Sequence, residues 1–343
     1  MVWAKAISEP FEVREQREEP SLLEQKISQL ALRIEGTVLE QRIHQLYAEL
    51  EAKGLRFRPR CYLSDEWGCP EGIPVIGIPF YLANPMLGRI EEDVTGDLEG
   101  APEIVRYLRH EAGHAYNYAY RLHEREEWHN VFGPYTRPYL EEYHPAPFSK
   151  KFVRHLPGWY AQKHPDEDFA ETFAVWLTPG LDWREQYKGW AALSKLEYMD
   201  ATLRSLPERP IVDVASVDGL LPVEEMNYTV REHYQRQEKP DVATELGLLL
   251  DGDLRELFGT DEVDEPLPSW LKQKRSELAR EVSYWTGERP QVVRALLDHV
   301  AGRAQALALT VRREDEKVLL TRFCIMITTL IMNHVYRDRF IEF

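Results

Sequence analysis

The sequence predicts an α+β fold that is predominantly helical, with a small edge sheet inside a metal-motif domain at residues 21–206 and an all-helical C-terminal domain at 229–343. Three observations carry that expectation. Apolar residues recur at helical spacing around the pentapeptide HEAGH, 110–114, and again over 164–177. Between 56 and 83 the pattern changes to short apolar runs punctuated by proline and glycine, which read as strands. Beyond Thr229 the chain is helical again, most strongly in 269–285, 289–310 and 314–340.

Taken in order, residues 1–20 are acidic, end in Pro20 and read as an N-terminal tail. Ser21 and Glu24 have capping-box spacing, and Leu23, Ile27, Leu30, Ile34, Ile43, Leu46 and Leu50 follow a helical period to Gly54. One long helix is expected there, with a break near Gly36. The run IPVIGIPFYLA, 73–83, reads as a strand whose Pro74 and Pro79 place it at a sheet edge, where a missing amide donor is tolerated. Such an edge either adds an extended peptide to the sheet or is an ordinary sheet margin.

In the HEAGH helix, Pro102 and Glu103 suit a first turn, and Ile104, Val105, Leu108, Ala112, Ala115 and Ala119 form the apolar stripe. It is expected to continue to about Trp128. Residues 130–160, rich in Pro, Tyr and Phe, read as a long ordered loop with short helices. In HPDEDFAETFAVWL, 164–177, Pro165 suits the first turn and three acids crowd the positive end of the helix dipole. Phe169, Phe173, Trp176 and Leu177 face inward before Pro179-Gly180 ends the helix. Residues 181–206 continue as helix, and 207–228, with Pro207, Pro210, Gly219 and Pro222, is expected to be a linker.

Composition narrows the function classes. At 343 residues, with 43% hydrophobic and 11% aromatic side chains, the chain can bury a sizeable core. A formal charge of −16 opposes unspecific attraction to nucleic acid or an anionic membrane, so neither is an expected partner. Three cysteines, Cys61, Cys69 and Cys324, make neither a disulfide framework nor a zinc-ligand spacing. The start of the chain has no apolar run of signal-peptide type, and the longest uncharged apolar segment, 323–333, is too short to span a bilayer. A cytoplasmic location is expected.

The chemistry starts from HEAGH. On a helix, His110 and His114 are one turn apart, roughly 6 Å along the axis, on one face, so two imidazoles can reach one metal ion. Glu111 then lies next to a metal-held water without being a ligand, as a metal-assisted hydrolase requires. Catalytic zinc keeps three protein ligands and one open position, so a third ligand is needed. The extended zincin motif cannot supply it, because Tyr120 stands where that motif has histidine and Asn117 where it has glycine. His123, His129, His144, His155 and His164 could each coordinate, yet lone histidines are more often solvated or structural, and a Glu from a later helix is the better candidate. Glu167 and Glu171 share one helix face at four-residue spacing, a source of a ligand and of a supporting carboxylate. Asp166 and Asp168 read as exposed acids serving the helix N-terminus.

HEAGH followed by Tyr160-Ala-Gln-Lys-His164-Pro-Asp-Glu167-Asp-Phe-Ala-Glu171-Thr-Phe resembles the bacterial zinc-binding metallopeptidases of gluzincin type, whose second helix begins with a similar His-Pro-x-Glu-Asp-x-Ala-Glu-Thr run. The stretch is also similar to the catalytic domain of anthrax lethal factor, with its Glu-x-x-Ala-Glu-x-Phe helix and a tyrosine upstream of the ligand glutamate. The resemblance covers roughly residues 60–200 and leaves the C-terminal helices open. It implies a zincin-like catalytic domain in which His110, His114 and Glu167 bind one catalytic zinc ion and Glu111 is the general base. It further implies that Glu171 orients a ligand histidine and that Tyr160 stabilises the oxyanion. Asp168 is the rival to Glu167 as ligand, and without the resemblance Tyr160 reads as packed aromatic surface.

The expected function is a zinc metallopeptidase acting on a peptide or protein substrate. The loop 130–160 and the strand 73–83, both rich in Tyr and Phe, are expected to line its pocket. The alternative is a catalytically weak zincin-fold binding or regulatory protein that recognises a partner through its C-terminal helices; an intact Glu111 argues against it. A structural metal site fits poorly, because such sites usually have four protein ligands, often cysteines.

Overall fold

The computed structural model describes residues 22–95, 98–140, 143, 145, 146, 148–212, 220–236, 250–261 and 264–337. The expected tail at 1–20 and the capping role of Ser21 lie outside the described residues. The chain is mostly helical with a small sheet.

Helix α1, Val38–Ala52, starts where the Thr37 side chain accepts a hydrogen bond from Leu39 N, and it buries Leu39, Ile43, Leu46 and Leu50. The expected long helix from residue 21 does not form. Ile27–Gln29 is a single 3-10 turn, and Gly36 has left-handed backbone, φ 76°, ahead of α1. The cause is tertiary: Ile27 N and Ser28 N donate to the carbonyls of Tyr228 and Met226, far along the chain, while Leu23 and Ile27 still pack in the core.

Strands β1, Arg60–Ser64, and β2, Val75–Pro79, pair in parallel, with Arg60 opposite Val75 and Ser64 opposite Pro79. The expected edge strand at 73–83 is shorter than the sequence suggests, and its outer side is paired at one position. All of β2 is buried, Gly77 exchanges hydrogen bonds of 2.7 and 3.3 Å with Gly68, and Phe80–Ala83 is a 3-10 turn. Gly77 permits this approach, since a Cβ there would lie 3.1 Å from Ser64 Cβ and 3.3 Å from the Gly68 carbonyl oxygen.

Helix α2, Pro85–Thr95, leads to α3, Ala101–Ala119, which carries HEAGH. Ile104, Val105, Leu108, Ala112, Ala115 and Ala119 are all buried. α3 ends at Ala119 and not near Trp128, because Tyr120 leaves the helical region and Arg121 turns left-handed at φ 48°; the chain resumes as α4, Glu126–Phe132. Arg109 and Glu49 pin α3 to α1 through two bonds of 2.7 Å.

Helix α5, Pro165–Leu177, begins where the His164 ring accepts from Asp166 N, and every one of its residues is buried. A helix covered on all sides belongs at the centre of a core. Its neighbours are α3, α4 and α7, Ala192–Arg204, which follows the short α6, Trp183–Gln186. The expected linker does not mark the end of this core. Val223 and Met226 belong to it, as do Val230 and Tyr234 of α8, Val230–Arg236.

A second core gathers α9, Asp251–Leu257, α10, Leu267–Thr286, α11, Pro290–Ala306, and α12, Glu316–Arg337. This part is not wholly helical, for β3, Glu265–Pro266, and β4, Thr310–Val311, form a short antiparallel pair. The pair joins the start of α10 to the end of α11, and Leu267 N donates to the Leu309 carbonyl beside it. By length and composition α12 is apolar enough to cross a membrane, with mean hydropathy 1.6 over its most apolar 18-residue stretch. In this fold Phe323, Ile327 and Ile331 pack into the second core, while Val318 and Ile325 face outward.

Candidate metal centre

Three side chains from α3 and α5 meet at one point. His110 Nε2 lies 3.0 Å from Glu167 Oε2, His114 Nε2 lies 3.2 Å from the same oxygen, and the two Nε2 atoms are 3.2 Å apart. The sequence places them there in two steps. Four-residue spacing puts both imidazoles on the α3 face turned to α5, and the bare Gly113 between them lets the two backbones close up. Pro165 and the His164 cap then start α5 so that Glu167 falls in its first turn, opposite that face.

All three residues are buried, and together they could hold a metal ion. The spacing fits: donors about 2.0–2.1 Å from a tetrahedrally coordinated ion stand about 3.3 Å apart. The outer ring atoms fit as well. His110 Nδ1 is 2.9 Å from Glu171 Oε1, and His114 Nδ1 is 3.0 Å from Asp166 Oδ2. A carboxylate only accepts, so each ring donates from Nδ1, and Nε2 is the atom that would meet a metal ion once its own proton is displaced. Glu171 is itself fixed, since its second oxygen accepts from the main-chain N–H groups of His155 and Leu156 at 3.1 and 2.9 Å.

Burial alone disfavours charge on His110, yet its bonds to Glu167 and Glu171 outweigh that effect and push the ring up to about 9. His114 moves the same way, where Asp166 and Glu167 overcome burial. Burial also opposes charge on Glu167, but the two imidazoles hold it well below the usual carboxylate range. Glu111 behaves differently: burial raises its carboxyl, and the neighbouring imidazoles only partly reverse this.

The centre forms one wall of a cavity of about 680 Å³. Glu111, Tyr160 and Tyr139 line it together with the three converging residues. Tyr160 belongs to the 3-10 turn Tyr160–Gln162, its ring centroid 5.6 Å from that of His110. Burial and the nearby Glu167 push its phenol far above the usual range, which keeps the hydroxyl a donor. The pocket lining matches the sequence expectation for the loop, through Tyr135, Thr136, Arg137 and Tyr139, but not for the strand. The 73–83 segment is absent from the wall among the described residues, and Trp67, Gly68, Cys69 and Glu71 stand in its place.

Asp166 and Asp168 are not exposed acids. Asp166 is buried behind His114 and also accepts from Tyr118 and Asn117 at 2.6 and 2.7 Å. Asp168 turns away from the imidazoles to bond Lys195 at 2.5 Å. Burial pushes its carboxyl up to about 7 in spite of that lysine. Of the other histidines, His155 bonds the Arg106 carbonyl, His164 caps α5 and His129 bonds the Gly133 carbonyl, while His144 lies outside the described residues.

Two contributors escaped the sequence reading. The Asp166 role has a signal in the polar stripe His114, Asn117 and Tyr118 on an otherwise apolar helix face. Tyr139, whose hydroxyl donates to Glu167 Oε1 at 2.5 Å, comes from irregular chain and has no such signal. The chain matches no protein-family model, no curated protein and no solved structure.

Proposed function

We propose that the chain is a zinc-dependent metallopeptidase of zincin-like fold that hydrolyses peptide bonds. One observation carries this reading: His110, His114 and Glu167 converge with ligand spacing while Glu111, which takes no part in that triangle, lines the same cavity. Zinc held there would supply a Lewis acid and a water acidic near neutral pH.

The chain's own residues do the rest. Glu111, its carboxyl raised by burial, takes a proton from the attacking water and returns it to the leaving amine. The Tyr160 hydroxyl, kept protonated, donates to the oxyanion that develops on the scissile carbonyl. Glu171 and Asp166 hold the two imidazoles in orientation. Tyr135, Tyr139 and Trp67 give the cavity aromatic walls, suited to apolar or aromatic side chains of an extended peptide or protein segment. The charge of −16 accords with a protein without nucleic-acid or anionic-membrane partners.

The test is cleavage of unfolded casein by the purified chain, with and without a chelator, alongside Glu111→Gln. That variant should keep its zinc by elemental analysis and lose activity by on the order of 10²–10⁴. Undiminished cleavage by Glu111→Gln rules out the proposed base. Full zinc occupancy without cleavage of casein or of natural-length polypeptides favours a binding or regulatory role for the same centre.

A further inference from the structure

Tyr160 is held from behind by the second core. Gly158 and Trp159 both have left-handed backbone, φ 81° and 51°, a conformation that a bulky residue adopts only where its surroundings enforce it. The enforcing contacts come from the C-terminal end of α10. Trp159 Nε1 donates to the Tyr284 carbonyl at 2.8 Å, and Gly287, the left-handed residue that ends α10, lies flat against the indole. A Cβ on Gly287 would stand 2.6 Å from Trp159 Cε3 and 2.9 Å from Cδ2, so only glycine leaves room for the ring. The indole is buried, with the Arg154 guanidinium 5.1 Å from its centroid. Tyr143 closes the turn by donating to the Gly158 carbonyl at 2.7 Å.

We infer that Trp159 is a positioning residue for Tyr160, and that the 284–287 end of α10 is its seat, so that the C-terminal helices complete the metal centre. The inference rests on Tyr160 being the oxyanion donor. The chemistry follows from the local chain: the 3-10 turn starts from Trp159, whose carbonyl accepts from Gln162 N at 3.0 Å, and Tyr160 is the next residue. Releasing the indole frees the backbone that aims the phenol, and a donor displaced by about 1 Å loses most of its effect.

The experiment uses the full-length, zinc-loaded chain with Trp159→Phe, Gly287→Ala, Tyr160→Phe and the double variant Trp159→Phe/Tyr160→Phe. Trp159→Phe should lower kcat about tenfold with KM and zinc content within about twofold, and should speed amide hydrogen exchange at Gln162 and Lys163. In the Tyr160→Phe background the same change should cost less than about twofold, because the group it aims is gone. Gly287→Ala should repeat the exchange effect; if it does not fold, Trp159→Phe carries the test. Wild-type kcat and exchange in Trp159→Phe, or a full tenfold loss persisting without the Tyr160 hydroxyl, would overturn the inference. An unchanged kcat in Tyr160→Phe itself sinks the donor reading, and exchange at Gln162 and Lys163 still decides whether α10 seats the turn.

Discussion

Gly113 and Ala170 are in main-chain contact: a Cβ on Gly113 would stand 2.7 Å from Ala170 Cα and 3.0 Å from its carbonyl oxygen. That contact sets how closely α3 approaches α5, and with it the separation of the two imidazoles from Glu167. Gly113→Ala should therefore lose about 1–3 kcal/mol of stability by overpacking, and weaken metal binding as the helices part. Thermal unfolding and zinc titration check both, and an unchanged midpoint would mean that the helices separate freely.

Glu171 has no spare oxygen. One accepts from His110 and the other from two backbone N–H groups. Glu171→Gln should reduce zinc affinity about 10–100-fold, since an amide cannot accept at both positions. Competition against a chromophoric chelator measures it. Affinity equal to that of the unaltered chain would show that the ring is oriented by something else.

Metal loading should depend on pH with a defined sign. Without metal, His110 is raised to about 9 and His114 is raised as well, so at pH 7 the centre carries protons that a metal ion must displace. Affinity should fall as pH drops below about 9, and binding at pH 7 should release about one to two protons. Calorimetry in two buffers of different ionisation heat counts them. Zero release would mean that both rings are already neutral.

Much of the centre was legible because one period governs it. In α3 the apolar stripe and the histidine pair obey the same 3.6-residue repeat, and in α5 the spacing of Glu167 and Glu171 does likewise. What was not legible depends on partners far along the chain. The exchange between Gly68 and Gly77 pairs one position of the edge strand that the prolines of 73–83 mark. The backbone bonds from Ile27 and Ser28 to 226–228 break a helical pattern that is unbroken in the sequence up to Gly36. The indole of Trp159 meets Tyr284 across 125 residues, and no local pattern announces it. The buried place of Asp166 was hidden by a sound local rule, since an acid in a first turn is ordinarily satisfied by the helix dipole and solvent.

Asp166, Glu167 and Asp168 are consecutive, and each is committed to a different partner: His114, the imidazole pair and Lys195. Successive helix positions point about 100° apart, so the three carboxylates work like the wards of a key and fit in a single rotation. Slipping the frame by one residue in either direction would offer the imidazoles the shorter arm of Asp166 or Asp168. One inserted or deleted residue between His164 and Glu171 should therefore abolish the centre outright.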